Sequence, residues 1–115
     1  MSTTPPWLRL QQMAAELERL QPSCCGAVHP LAVIDGVLEL GAGSVVKAGT
    51  VIEGYVRIGR NCSIGPNAYL RGHVSVGDNC VIGNAVEVKN SLLGNSVFIS
   101  HLSYVGDSVI EDDVN

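Results

Sequence analysis

Four charged residues recur at a spacing of eighteen: Asp35, Glu53, Arg71 and Lys89. A chain that returns over itself every eighteen residues stacks them in one column, with Arg71 beside Lys89. Two cations held that close repel each other unless an anion lies between them. One reading is that Glu53 neutralises Arg71 while Lys89 is merely solvated. The other is a phosphate clamp, in which Arg71 supplies a planar fork of donors and Lys89 a point charge.

His101 is the second candidate for chemistry. It lies in Ser100-His101-Leu102-Ser103-Tyr104, at a corner after Ile99. An imidazole changes charge near neutral pH and can carry a proton there; by spacing alone, His101 is an ordinary surface histidine. His29 and His73 have nothing beside them in the pattern and read as solvated. Cys62 and Cys80 are again eighteen apart and read as buried thiols that behave as small apolar residues. The vicinal pair Cys24-Cys25 matches no zinc spacing, so no metal site is expected. There is no Cys-x-x-Cys, no Walker A sequence and no Gly-x-Ser-x-Gly.

The elements that must position these residues announce themselves through a six-residue rhythm. Ile34, Leu40, Val46, Ile52, Ile58, Ile64, Leu70, Val76, Ile82 and Val88 follow one another without a miss. Two positions before each stands a second residue of small or modest size, among them Ser44, Thr50, Cys62, Ala68 and Cys80. Glycine directly follows the aliphatic residue at 41, 59, 65, 77 and 83. The rhythm slips by one between Val88 and Leu93, resumes at Ile99 and Val105, and slips again before Ile110.

So strict a period means a repeat architecture. Each hexad holds one short strand and one turn. The aliphatic residue and the one two before it share the inward side of the strand. Three hexads close a triangular coil, and coils stack at an interstrand spacing of roughly 4.8 Å. Backbone groups pair with the coils above and below. No coil buries its interior alone, so stacking supplies the core. The expectation is an all-β repeat, a parallel β-helix over 34–115 with a little over four coils.

Residues 1–22 differ in character. Thr4 reads as an N-cap with Pro5 at the first helical position. Trp7, Leu10, Ala14, Leu17 and either Met13 or Leu20 fall on one stripe, which predicts an amphipathic α-helix over about 5–20. The helix is expected to cap the first coil, with 23–33 as a linker.

Composition narrows the function classes. Aromatic residues are only 4% of 115, so the core must be aliphatic, and 13 glycines suit many turns. A net charge of −4 argues against a nucleic-acid partner. No apolar run reaches the ~18 residues of a membrane span. The N-terminus lacks the features of a secretory signal, so the cysteines read as reduced thiols in the cytoplasm.

Three segments carry a resemblance. Gly83-Asn84-Ala85-Val86-Glu87-Val88-Lys89-Asn90-Ser91, then His101-Leu102-Ser103-Tyr104-Val105-Gly106-Asp107, then Asp113-Val114-Asn115 closely resemble the acetyltransferase domain of the bifunctional N-acetylglucosamine-1-phosphate uridyltransferases. They are also similar to related archaeal and bacterial sugar-phosphate nucleotidyltransferase/acetyltransferases. The resemblance covers about 34–115 and implies a left-handed coil, against the usual right-handed crossover. It implies transfer of an acetyl group from acetyl-CoA to the amine of glucosamine-1-phosphate or a similar amino-sugar phosphate. His101 would be the general base; Arg71 and Lys89 would hold the sugar phosphate; Tyr104 and Asn115 would contact the sugar. The family works as a homotrimer with sites in the grooves between β-helices.

The nucleotidyltransferase half has no counterpart here. The family's coils beyond the position of Asn115, which help to build its coenzyme A site, have none either. The sequence therefore reads as a fragment or a truncated relative. A β-helix that trimerises or binds a sugar phosphate without transferring anything is the competing expectation, and a purely structural β-helix is a third.

Overall fold

The computed structural model describes residues 4–115. Short parallel strands wind into a left-handed β-helix of about five turns with three flat faces. The first face stacks 33–35, 51–53, Tyr69–Arg71, Glu87–Lys89 and Tyr104–Gly106. The second stacks Ser23–Cys24, 37–40, 55–58, His73–Val76, Leu92–Leu93 and Val109–Ile110. The third stacks Ala27–Val28, Val45–Val46, Ser63–Ile64, Val81–Ile82 and Phe98–Ile99.

The stack begins below residue 34, and the expected linker 23–33 is part of it. Ser23–Cys24 pairs with Glu39 and Leu40, and Ala27–Val28 pairs with Val45 and Val46. The segment 23–33 is therefore the lowest part of the stack. Its strands are two residues long and carry no aliphatic at the hexad phase except Val28, which hides them from a periodicity argument.

The inward ladder is as expected through the body of the coil. Leu40, Val46, Ile52, Ile58, Ile64, Leu70, Val76, Ile82, Val88 and Leu93 are buried, and so are the residues two before the first nine of them. Ile34 departs from the pattern at 38% exposure, because it lies in the lowest layer of the first face. Ser44, Thr50 and Ser91 occupy inward positions with their hydroxyls bonded. The Ser44 hydroxyl accepts the Cys62 N–H at 2.9 Å, and the Cys62 sulfur accepts the Cys80 N–H at 3.4 Å. Both thiols are buried; the hydrogen bond to Cys62, and then burial, push the Cys80 thiol up. These cysteines are parts of the wall.

From Gly36 onward the corners are turned by residues in the left-handed region, and the corner at Asn67 carries Gly65 in that region as well. Between the first and second faces these are Gly36, Gly54, Gly72, Asn90 and Asp107. Between the second and third they are Gly43, Asn61, Asn79, Ser96 and Asp113; between the third and first, Gly49, Asn67, Ala85 and Leu102. Asparagine tolerates this conformation better than other side-chain-bearing residues. The rhythm slips are located by the register. Val51, Tyr69 and Glu87 stack at intervals of eighteen, but Glu87 pairs with Tyr104 and Ser75 with Leu92 at seventeen. One residue is dropped at the corner that carries Asn90, and again at the one that carries Asp107.

The α-helix, α1 (Pro6–Leu17), begins one residue later than expected, with Pro5 as its N-cap. It does not cap the first coil. It lies along the second face, against 55–58, His73–Val76 and Val109–Ile110. Met13 and Leu17 are its buried residues, while Trp7 is 67% exposed. Its polar flanks match the face beneath: Arg9 pairs with Glu111 at 2.7 Å, Glu16 with Arg57 at 3.6 Å, and Glu18 with His73 at 2.9 Å. His73 is thus half-buried and engaged, not solvated; its ring also stacks on Tyr55, centroids 5.4 Å apart.

Candidate functional site

The first face projects its outward side chains in two columns. One runs Val33, Val51, Tyr69, Glu87, Tyr104; the other runs Asp35, Glu53, Arg71, Lys89, Gly106. Lys89 is the direct register partner of Arg71, so the two cations do stand one coil apart.

Arg71 is neutralised, though not by Glu53 as one of the two readings has it. Its Nε donates to Glu87 Oε2 at 2.8 Å, which holds the guanidinium pKa above its ordinary value. Glu53 instead accepts a hydrogen bond from the Tyr69 hydroxyl, which raises that phenol's pKa. The Arg71 guanidinium also lies 5.7 Å from the Tyr69 ring centroid, within cation–π range. Glu87 and Tyr69 were missed in the sequence because the pairing is diagonal. Residues directly opposite are read off an eighteen-residue period, but long side chains also reach the neighbour two positions along.

Tyr104 joins this group by an indirect route. Its ring lies along its own strand, over Gly106. A Cβ placed on Gly106 would fall 2.6 Å from Cζ and 2.8 Å from Cε2 of Tyr104. Gly106 is the register partner of Lys89, so the phenol occupies the next place up the cation column. Arg71, Lys89 and Tyr104 are thereby brought together.

His101 and Asn115 are not in that group. His101 is exposed, on the corner between Phe98–Ile99 and Tyr104–Gly106. The corner backbone is fixed: the Leu102 N–H donates to the Asn84 carbonyl at 3.0 Å. The imidazole has no hydrogen-bond partner among the described residues. His101 precedes the strand Tyr104–Gly106 and Gly106 ends it, so the histidine and the cation column flank the first face from its two edges. Asn115 is exposed beside a recess of about 230 Å³ that also involves Phe98, Ile99, Ser103 and Val105.

The cations and the phenol offer charge-assisted and neutral donors on one face, which suits a phosphate monoester. The edge histidine offers a proton acceptor. No group of three or more histidine, cysteine or acidic residues suited to a metal ion is present among the described residues.

Comparison with known proteins agrees with the coil. Residues 55–90 match the family model described as bacterial transferase hexapeptide (six repeats). A stretch of 32 residues is 53% identical to the bifunctional protein GlmU of Ruthia magnifica subsp. Calyptogena magnifica, covering 28% of this chain and 7% of that protein. Among solved structures, a mutant of perosamine N-acetyltransferase from Caulobacter crescentus, in complex with CoA and GDP-perosamine, superposes with a TM-score of 0.60. It is 21% identical, over 94% of this chain and 60% of that one, and shows the shared fold. The chain therefore spans under two thirds of these relatives. The repeat match and the triangular coil agree on one fold, a left-handed β-helix of hexapeptide repeats.

Proposed function

We propose that this chain belongs to an acetyl-CoA-dependent N-acetyltransferase acting on glucosamine-1-phosphate or a similar amino-sugar phosphate, working in the cytoplasm. Arg71 and Lys89 hold the phosphate, and Tyr104 and Asn115 contact the sugar. His101 is the general base. Its neutral imidazole takes a proton from the attacking amine as the amine nitrogen bonds to the thioester carbonyl carbon. The carbon–sulfur bond then breaks, the leaving sulfur takes that proton from the imidazolium, and coenzyme A departs as the thiol.

The observation that carries this reading is the stack of Arg71, Lys89 and the Tyr104 phenol on one face. The 53% identity of a 32-residue stretch to GlmU supports it. Since His101 and the cation column flank the first face from opposite edges, the site is completed in the groove between β-helices of a homotrimer. The same separation favours a second reading, in which the coil binds the sugar phosphate and trimerises without transferring an acyl group.

The test is thiol release from acetyl-CoA in the presence of glucosamine-1-phosphate, with His101→Ala alongside. Release above a no-acceptor control that the variant lacks supports the enzyme. Binding of the sugar phosphate without release supports the second reading. Neither binding nor release sinks both.

A further inference from the structure

The outward column above Asp35 carries a side chain in four of its five places, and the fifth is Gly106. Gly106 does not turn a corner; it is not among the left-handed residues. Its φ is one that any residue adopts, so backbone freedom is no reason for glycine there. What its missing side chain does is make room.

The contrast is with Tyr69, which stands in the same column as Tyr104 two coils lower. There the residue two positions on is Arg71, whose own side chain fills the space. The Tyr69 ring faces the guanidinium and turns its hydroxyl to Glu53. At Tyr104 the space is empty, and the ring lies down across it. Its hydroxyl then stands over the strand position that pairs with Lys89.

We infer that Gly106 is a positioning residue for Tyr104: lacking a side chain, it lets the phenol lie along the strand with its hydroxyl above Lys89, as the third contact to a phosphate monoester held by Arg71 and Lys89. The inference rests on the sugar-phosphate reading above, turns the Tyr104 contact from the sugar to its phosphate, and adds the residue that puts this third donor in place.

The atoms that a Cβ at 106 would meet are the far end of a flexible side chain, so Gly106→Ala displaces the phenol and leaves the coil intact. Binding of glucosamine-1-phosphate and of inorganic phosphate is to be titrated by calorimetry on the full chain, in the wild type, Gly106→Ala, Tyr104→Phe and the double variant. Loss of one neutral hydrogen bond lowers affinity about three- to tenfold. Each single variant is expected to show that loss, with the thermal midpoint held. The double variant is expected to lose no more than Tyr104→Phe alone, because Gly106 acts only through the hydroxyl. A Gly106→Ala loss that persists undiminished in the Tyr104→Phe background overturns the assignment, as does wild-type affinity in Gly106→Ala.

A second readout separates this inference from the reading beneath it. A ring lying over Gly106 shifts that residue's Hα resonances through its ring current, and Gly106→Ala releases the Tyr104 ring signals toward random-coil values. If the ring-current shift is absent, the positioning role fails even where sugar phosphate binds. If the shift is present and the wild type binds neither probe, the sugar-phosphate reading fails and takes the third-contact role with it.

Discussion

Glu87 reaches diagonally down one coil to bind Arg71 at 2.8 Å, although the register partner of Arg71 is Lys89. A carboxylate thus sits against the guanidinium that a phosphate would need. The two side chains are 33% and 39% exposed, so solvent screening leaves the pair little weight in stability. Glu87→Gln is expected to leave the thermal midpoint within a few degrees and to tighten binding of a phosphate monoester severalfold, by freeing the fork. Weaker binding in that variant would show that Glu87 is a contact for the ligand rather than its competitor.

The chain has three tyrosines, and Tyr69 is the one whose hydroxyl is held by Glu53. A carboxylate that accepts the phenol's hydrogen bond favours the neutral phenol, so ionisation is displaced upward. Ultraviolet titration should show one tyrosine ionising above the ordinary value near 10. Glu53→Gln removes the charged acceptor and should bring that step down. A titration curve unmoved by the substitution would place the Tyr69 hydroxyl elsewhere.

Much of this was legible in the sequence, and the exceptions have physical causes. The aliphatic ladder from Leu40 to Leu93 could be read because a coil interior tolerates nothing else at those positions. The stacking of Arg71 on Lys89 followed from the same period. The Tyr104 phenol's place over Gly106 did not, because it depends on a side chain lying along its strand. Nor did Glu87, whose contact runs on a diagonal. The lowest layer was hidden, since Ser23–Cys24 and Ala27–Val28 are recognised only by what they pair with. The course of α1 was hidden as well: its apolar stripe says that it docks, whereas Arg57, His73 and Glu111 on the second face say where.

Val76 tests the ladder most directly. It is 2% exposed and lies in the body of the core between Ile58 and Leu93. Val76→Asp puts a carboxylate where the described core offers no cation, at a cost of several kcal/mol, roughly the whole stability of a small domain. The variant is expected to lose its cooperative melt. A variant that still melts sharply near the wild-type midpoint would mean that residue 76 does not face inward.

Leu17 tests how α1 is held. The continuous core of the coil is built from residues between Leu38 and Val97, and neither Met13 nor Leu17 belongs to it. The helix is attached by those two buried side chains, by two ion pairs on partly exposed groups and by the Glu18–His73 hydrogen bond. Exposed pairs are weak and screened by salt, and an isolated twelve-residue helix is marginal in water. Leu17→Ala removes about 2–5 kcal/mol of buried contact from this attachment. The expected result is a helix that undocks while the β-helix persists. Ellipticity at 222 nm should fall, and amide protons of α1 should exchange quickly, most of all at high salt. Protection at buried strand amides such as those of Leu70 and Val88 should stay as in the wild type. Simultaneous loss of protection in both parts would show that α1 and the coil form one cooperative unit, with the second face dependent on its helix.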